Sequence, residues 1–154
     1  MENSKNKKWE VAEIQLVYKS KVKPSERPSV SSSQTAYEVF IEDWDSDKIG
    51  FVEEFKVMLL NRGHRVLGIY NLSCGGTTRT IVDPKLLFAA AIKSNASNII
   101  VAHNHPSGSR RPSQPDINIT KVLKEIGKLL EIPLLDHLIV TTEGFFSFSD
   151  EGLL

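Results

Sequence analysis

Along the chain, apolar positions gather into short runs separated by turn-forming residues, and their spacing switches between the period of a strand and that of a helix. Val11, Ile14, Leu16 and Tyr18 stand among charges and predict an edge strand over Trp9–Tyr18. Lys19–Ser33 carries two prolines and the serine-rich stretch Ser29–Ser33, the composition of a linker. Tyr37, Phe40, Ile41 and Trp44 fall at helical spacing and predict a helix from Ser33 to Asp45, capped by Ser33. Two alternating runs, Phe51–Leu60 and Arg65–Ser73, flank Asn61-Arg62-Gly63-His64 and read as a β-hairpin.

After a glycine turn at Gly75-Gly76, Asp83 suits an N-cap and Pro84 the first helical position; Leu86–Ala91 continue the helix and Asn95 closes it. Asn98–His103 is continuously apolar, as in a strand buried on both faces. A loop rich in Pro, Ser and Gly runs from Asn104 to Pro112. Pro115–Leu130 then places Val122, Leu123, Ile126, Leu129 and Leu130 on one helix face. Leu134–Val140 reads as a further buried strand, and Phe145–Phe148 as a last one after the Gly144 turn. No internal repeat is present. This order predicts an α/β sandwich around a mixed sheet, with an N-terminal strand and linker at 1–32 and one domain at 33–154.

Composition narrows the function. The chain has 154 residues, 40% of them apolar and 25% charged, enough for one core. Lys plus Arg equals Asp plus Glu, 19 against 19. A domain that grips nucleic acid normally carries a basic excess, and here the basic clusters are only local, at Lys5–Lys8, Lys19–Lys23 and Arg110–Arg111. Cys74 is the single cysteine, so an internal disulfide and a cysteine-rich zinc knuckle are both excluded; a small buried role is expected for it. The absence of a signal peptide and of any bilayer-length apolar run points to a cytoplasmic protein without a membrane partner.

The chemistry concentrates in His103-Asn104-His105-Pro106-Ser107-Gly108-Ser109-Arg110-Arg111-Pro112-Ser113-Gln114-Pro115-Asp116. Residues two apart on an extended segment share a face, so His103 and His105 can aim two imidazoles at one point. Asp116 is the nearby carboxylate, and the Pro- and Gly-containing loop can return it to the histidines. Two imidazoles and a carboxylate supply three zinc ligands and leave a fourth position open. Ser113-x-x-Asp116 also reads as a helix start, and the two roles are compatible, because the first turn of a helix favours an anion.

Upstream, alternation puts Glu53, Phe55, Val57 and Leu59 on one strand face and Glu54, Lys56 and Met58 on the other. Glu54 and Lys56 then form a solvated pair, while Glu53 is an acid on an apolar face, costly unless a metal-bound water compensates it. His137 reads as a satisfied core or strand-end histidine, His64 as a solvated turn residue, and Arg110 and Arg111 as a solvated loop pair that could hold an anionic group.

The order of these motifs resembles the JAMM metalloprotease signature: His-x-His-Pro, seven residues after the second histidine, then Ser-x-x-Asp, with a glutamate well upstream. His103–Gly108 and Pro112–Asp116 are most similar to the JAMM domain of the bacterial RadC family. The likeness extends from Glu53 to Phe148 through Ser94-Asn95-Ala96 and Leu135-Asp136-His137. The chain departs from the family in lacking a helix-hairpin-helix pattern, and in having Pro84-Lys85-Leu86 where Pro-Arg-Glu is usual.

The resemblance implies a cytidine-deaminase-like, three-layer α/β/α fold, one Zn2+ and metallopeptidase machinery, and it independently selects Glu53 as the signature glutamate. In that scheme His103, His105 and Asp116 hold the metal, Glu53 is the general base, and Ser113 hydrogen-bonds the developing oxyanion. The expected substrate is a peptide or isopeptide. The alternatives are a DNA-associated repair, recombination or mobile-element factor, and a metal-bound but inactive interaction module.

Overall fold

A computed structural model describes residues 9–75 and 81–154; the Lys5–Lys8 cluster and Gly76 lie outside them. The elements are α1 (Ser33–Asp43), the hairpin β1 (Glu54–Leu60) and β2 (Val66–Cys74), α2 (Pro84–Lys93), β3 (Asn98–Asn104), α3 (Gln114–Leu129), β4 (Leu134–Thr141) and β5 (Gly144–Ser147). They form one five-stranded sheet in the order β2-β1-β3-β4-β5. Only β3 and β4 are parallel, with α3 as their crossover; the other neighbours are antiparallel.

Both faces of the sheet are covered. Phe55, Val57, Leu59, Ile99 and Val101 pack with Leu87, Phe88 and Ala91 of α2 and Leu123 of α3. On the opposite face, Met58, Leu60, Ile100, Ala102, Leu138 and Val140 pack with Ala36, Phe40 and Trp44. Helices on either side of a mixed sheet make the expected three-layer α/β/α sandwich. Every residue of β1 is buried, as is all of β3 beyond Asn98.

The caps and turns show how local sequence sets the boundaries. Asp83 accepts a hydrogen bond from the Lys85 amide at 2.9 Å, with Pro84 in the first turn, and Asn95 just beyond α2 takes a left-handed φ of 55°. At α1 the cap is Ser32 rather than Ser33, because Thr35 then stands where its hydroxyl can accept the Ser32 amide while Ser32 accepts the Thr35 amide. That helix stops at Asp43, short of Asp45. In the hairpin the left-handed residue is His64, at φ 57°, not the neighbouring Gly63.

Four further expectations are corrected. Residues 9–18 form no strand: Val11 and Ile14 are almost fully exposed, so no core rewards pairing, although the Tyr18 hydroxyl donates to the Leu67 carbonyl. Strand β1 begins at Glu54 and not Phe51, since residues 45–52 turn back on themselves through Ile49 and Val52 amides bonded to Asp45 and Lys48 carbonyls. Glu54 and Lys56 are buried rather than solvated, because α1 covers their face; the Lys56 ammonium pairs with Asp43 at 2.7 Å and lies 4.8 Å from the Trp44 ring centre. Cys74, at the end of edge strand β2, is exposed rather than buried.

Candidate metal centre

The site forms where β3 ends and α3 begins. Alternation along β3 sends Ile99, Val101 and His103 toward α2 and α3, and Ile100, Ala102 and Asn104 toward α1. His103 is 1% exposed and stacks on Phe55, its cross-strand partner on β1. Continuing that antiparallel register past its last pair brings Glu53 opposite His105. Asp116 arrives from the first turn of α3, where the Ser113 amide donates to its carboxylate at 2.7 Å and its own amide donates to the Ser113 hydroxyl at 3.3 Å. The capping box and the metal-ligand reading therefore describe the same carboxylate.

Three ligand atoms converge. His103 Nε2 and His105 Nε2 lie 3.0 Å apart, His103 Nε2 is 3.2 Å from Asp116 Oδ1, and His105 Nε2 is 3.4 Å from Asp116 Oδ2. Among the described residues these three side chains form a group that could hold a metal ion. Ligands about 2.0–2.1 Å from a tetrahedral zinc are about 3.3–3.4 Å from one another, close to each of these separations, the two to Asp116 being to different oxygens of its carboxylate. The donor set fits as well: His105 Nδ1 is 2.8 Å from the Ser109 carbonyl, which fixes a proton on that nitrogen and leaves Nε2 as the nitrogen available to a metal.

Charge is concentrated at the same point. Burial alone raises the Asp116 pKa, but hydrogen bonds from His103 and His105 outweigh it and hold the carboxyl well below the ordinary range. The reciprocal bond to Asp116 carries the His105 pKa above its usual value, against the opposing effect of burial. Glu53 adds to this from across the cavity.

The triad opens into a cavity of about 610 Å³ that Glu53 and Ser113 also line. Phe55, Ile81, Val82 and Ile119 give it apolar walls, and Arg111 is the cation on its rim. A family model described as a RadC-like JAB domain matches residues 30–153. The chain belongs to this family.

Curated relatives of this RadC-like JAB domain are bacterial UPF0758 proteins. That of Flavobacterium johnsoniae is 46% identical over 101 residues, which are 66% of this chain and 44% of the relative. That of Thermosynechococcus vestitus is 41% identical over 130 residues, 83% of this chain and 50% of the relative, and that of Clostridium kluyveri 40% over 144 residues, 94% and 61%. The chain thus spans about half the length of the relatives it matches. Among its described residues, no helix is long and apolar enough to cross a membrane.

In this RadC-like JAB domain the sequence-predicted residues Glu53, His103, His105, Ser113 and Asp116 all line one cavity. Three further residues support them. His137 is a satisfied core histidine as expected, but it also stands directly behind the site, with Nε2 2.8 Å from His103 Nδ1. Burial, followed by the nearby His103, pushes its pKa well below the usual value. Thr120, one turn after Asp116, contacts His137 Nδ1 at 2.6 Å; its only sequence signal is a polar residue on the buried face of an amphipathic helix.

Asn104, between the two ligand histidines, faces away from them. Its amide nitrogen donates to the Ile49 and Val52 carbonyls, both at 2.7 Å, and its oxygen accepts the Glu54 amide at 2.7 Å. It thereby fastens the turn that delivers Glu53. Arg110 and Arg111 are exposed, and only Arg111 borders the cavity.

Proposed function

We propose that this domain is a zinc-dependent hydrolase of peptide or isopeptide bonds. The observation that carries the reading is the convergence of His103, His105 and Asp116 at the mouth of a cavity that Glu53 also lines. Two histidines and one carboxylate with an open fourth position are the donor set of catalytic rather than structural zinc sites. When bound, the metal would polarise the scissile carbonyl and lower the pKa of a water from about 15.7 toward about 7.

The remaining chemistry belongs to the chain. Glu53 takes a proton from the attacking water and returns it to the leaving amine nitrogen, so the amide and one water become an acid and an amine. Ser113 accepts the Asp116 amide in the capping box, and its hydroxyl proton has no acceptor among the described residues. That proton can be donated to the oxygen that gains charge in the transition state. The apolar walls from Phe55, Ile81, Val82 and Ile119 suit an aliphatic side chain beside the cleaved bond. The balance of 19 basic and 19 acidic residues favours a protein substrate over a DNA backbone.

The test incubates zinc-loaded protein with a peptide library, an isopeptide-linked substrate set and DNA in parallel. Amide cleavage that Glu53→Gln reduces by about 100-fold or more, with metal content unchanged, is the expected result. Salt-sensitive DNA binding with no amide cleavage would replace this reading by the DNA-associated one, and a fully loaded protein inert toward every substrate would favour an interaction module.

A further inference from the structure

Behind the ligands, a chain of buried hydrogen bonds constrains where its protons sit. The Thr120 hydroxyl lies 2.6 Å from the backbone carbonyl of Asp116, one helical turn earlier, and a carbonyl can only accept. The single hydroxyl proton is therefore committed there. His137 Nδ1 is also 2.6 Å from Thr120 Oγ1, and that contact is a hydrogen bond only if Nδ1 carries the proton. His137 is fully buried, stacked on Phe148 at 4.7 Å and set edge-on to Phe55 at 5.6 Å, a surrounding that suits the neutral ring. A neutral imidazole has one N–H, so His137 Nε2 is an acceptor. It stands 2.8 Å from His103 Nδ1, which must then be the donor. That leaves Nε2, the atom that faces His105 and Asp116, as the nitrogen of His103 available to a metal.

We propose that Thr120 and His137 are positioning residues of the metal centre, a buried relay from the Asp116 carbonyl through Thr120 and His137 that locks His103 in the Nδ1–H tautomer with its Nε2 lone pair aimed at the metal. This rests on the reading of His103, His105 and Asp116 as ligands. The relay closes on itself: it starts at the backbone of Asp116 and ends at the imidazole beside that residue's own carboxylate. It also ties α3 to β4 and β4 to β3, so the two elements carrying His103 and Asp116 cannot shift independently. The register supplies the geometry, since Val101 pairs with His137 and His103 with Ile139, leaving His137 diagonal to His103 on the same sheet face. Without the Thr120 acceptor, His137 has no reason to keep its proton on Nδ1. An Nε2–H tautomer of His137 would meet the His103 Nδ1–H head-on and favour the form of His103 whose Nε2 is protonated and cannot ligate.

The experiment measures zinc affinity by competition with a chromophoric chelator, and imidazole tautomers by 15N NMR of the zinc-free protein. Zinc affinity is expected to fall about tenfold in Thr120→Val and up to about 100-fold in His137→Phe. Thr120→Ser, which keeps the hydroxyl, is expected within about twofold of the parent, well inside the range of such supporting contacts. His137 should be the Nδ1–H tautomer in the parent and in Thr120→Ser, and should shift toward Nε2–H in Thr120→Val. Should His137→Phe fail to fold, the Thr120 pair decides. Unchanged zinc affinity in a folded Thr120→Val protein, or an Nε2–H His137 tautomer in the zinc-free parent, overturns the relay. A parent protein that binds no zinc overturns the ligand reading and the relay with it.

Discussion

The two histidines of the candidate centre are held in opposite ways. His103 is buried on a central strand and hydrogen-bonds the core residue His137, which in turn contacts Thr120. His105 is half-buried beyond the end of β3 and is oriented by the Ser109 carbonyl of its own loop. One ligand is thus fixed by the packed core and the other by a surface loop that can yield. A metal site needs both qualities, since rigid supports hold ligand geometry while an accessible side admits the ion and a substrate.

Paired substitutions of the ligands probe that contrast most strongly. Both His103→Ala and His105→Ala should empty the site, read as zinc per protein after reconstitution. They should differ in the zinc-free protein. His103→Ala leaves the buried His137 ring without its partner and is expected to cost about 2–4 kcal/mol in denaturant unfolding, from a cavity and an unsatisfied nitrogen. His105→Ala, which removes a half-buried ring and its bond to the Ser109 carbonyl but leaves no core nitrogen unpaired, should cost about 1 kcal/mol or less. Equal costs would erase the distinction between the core-held and loop-held ligand.

Asn104 stands between the two regimes, anchored in the core yet fastening a turn. Asn104→Ala removes three hydrogen bonds, two of them buried, and should destabilise by about 2–3 kcal/mol. Catalytic turnover should fall further than zinc affinity, because the residue acts on Glu53 rather than on a ligand.

On the core side, a Cβ added at Gly127 would lie 2.5 Å from the Ile132 carbonyl oxygen, too close for α3 to keep its seat against the approach to β4. Gly127→Ala should therefore cost about 1–2 kcal/mol even after the gain in helix propensity, checked by the thermal midpoint. The smallest effect belongs to the loop. Gly108 has a φ of 81° with open space around it, so Gly108→Ala should cost about 1 kcal/mol of backbone strain and weaken zinc only a few-fold through the neighbouring Ser109 carbonyl.

Much of this was legible in the amino-acid order because it depends on short-range rules. His103 and His105 share a face by strand alternation, Asp116 is fixed in the first helical turn by Ser113, and Asp83-Pro84 starts α2. Alternation also grouped Glu53 with Phe55, and Glu54 with Lys56, correctly. It could not say that both faces are dry. That depends on α1 folding over the Glu54 face, where Asp43 meets Lys56, a contact between segments that no local period encodes. The same reason hid the relay: Thr120 and His137 are 17 residues apart and meet only because α3 crosses back over the sheet. The failure at Trp9–Tyr18 is the converse case, an alternating pattern with no core to bury it.

Whether His103, His105 and Asp116 share one ion is decided by anomalous diffraction at the zinc edge from crystals grown with one equivalent of zinc. A single anomalous peak is expected about 2.0–2.2 Å from His103 Nε2, His105 Nε2 and an Asp116 carboxylate oxygen, with its remaining position facing Glu53. Density for zinc bound elsewhere, or none between these three side chains at full occupancy conditions, would contradict it.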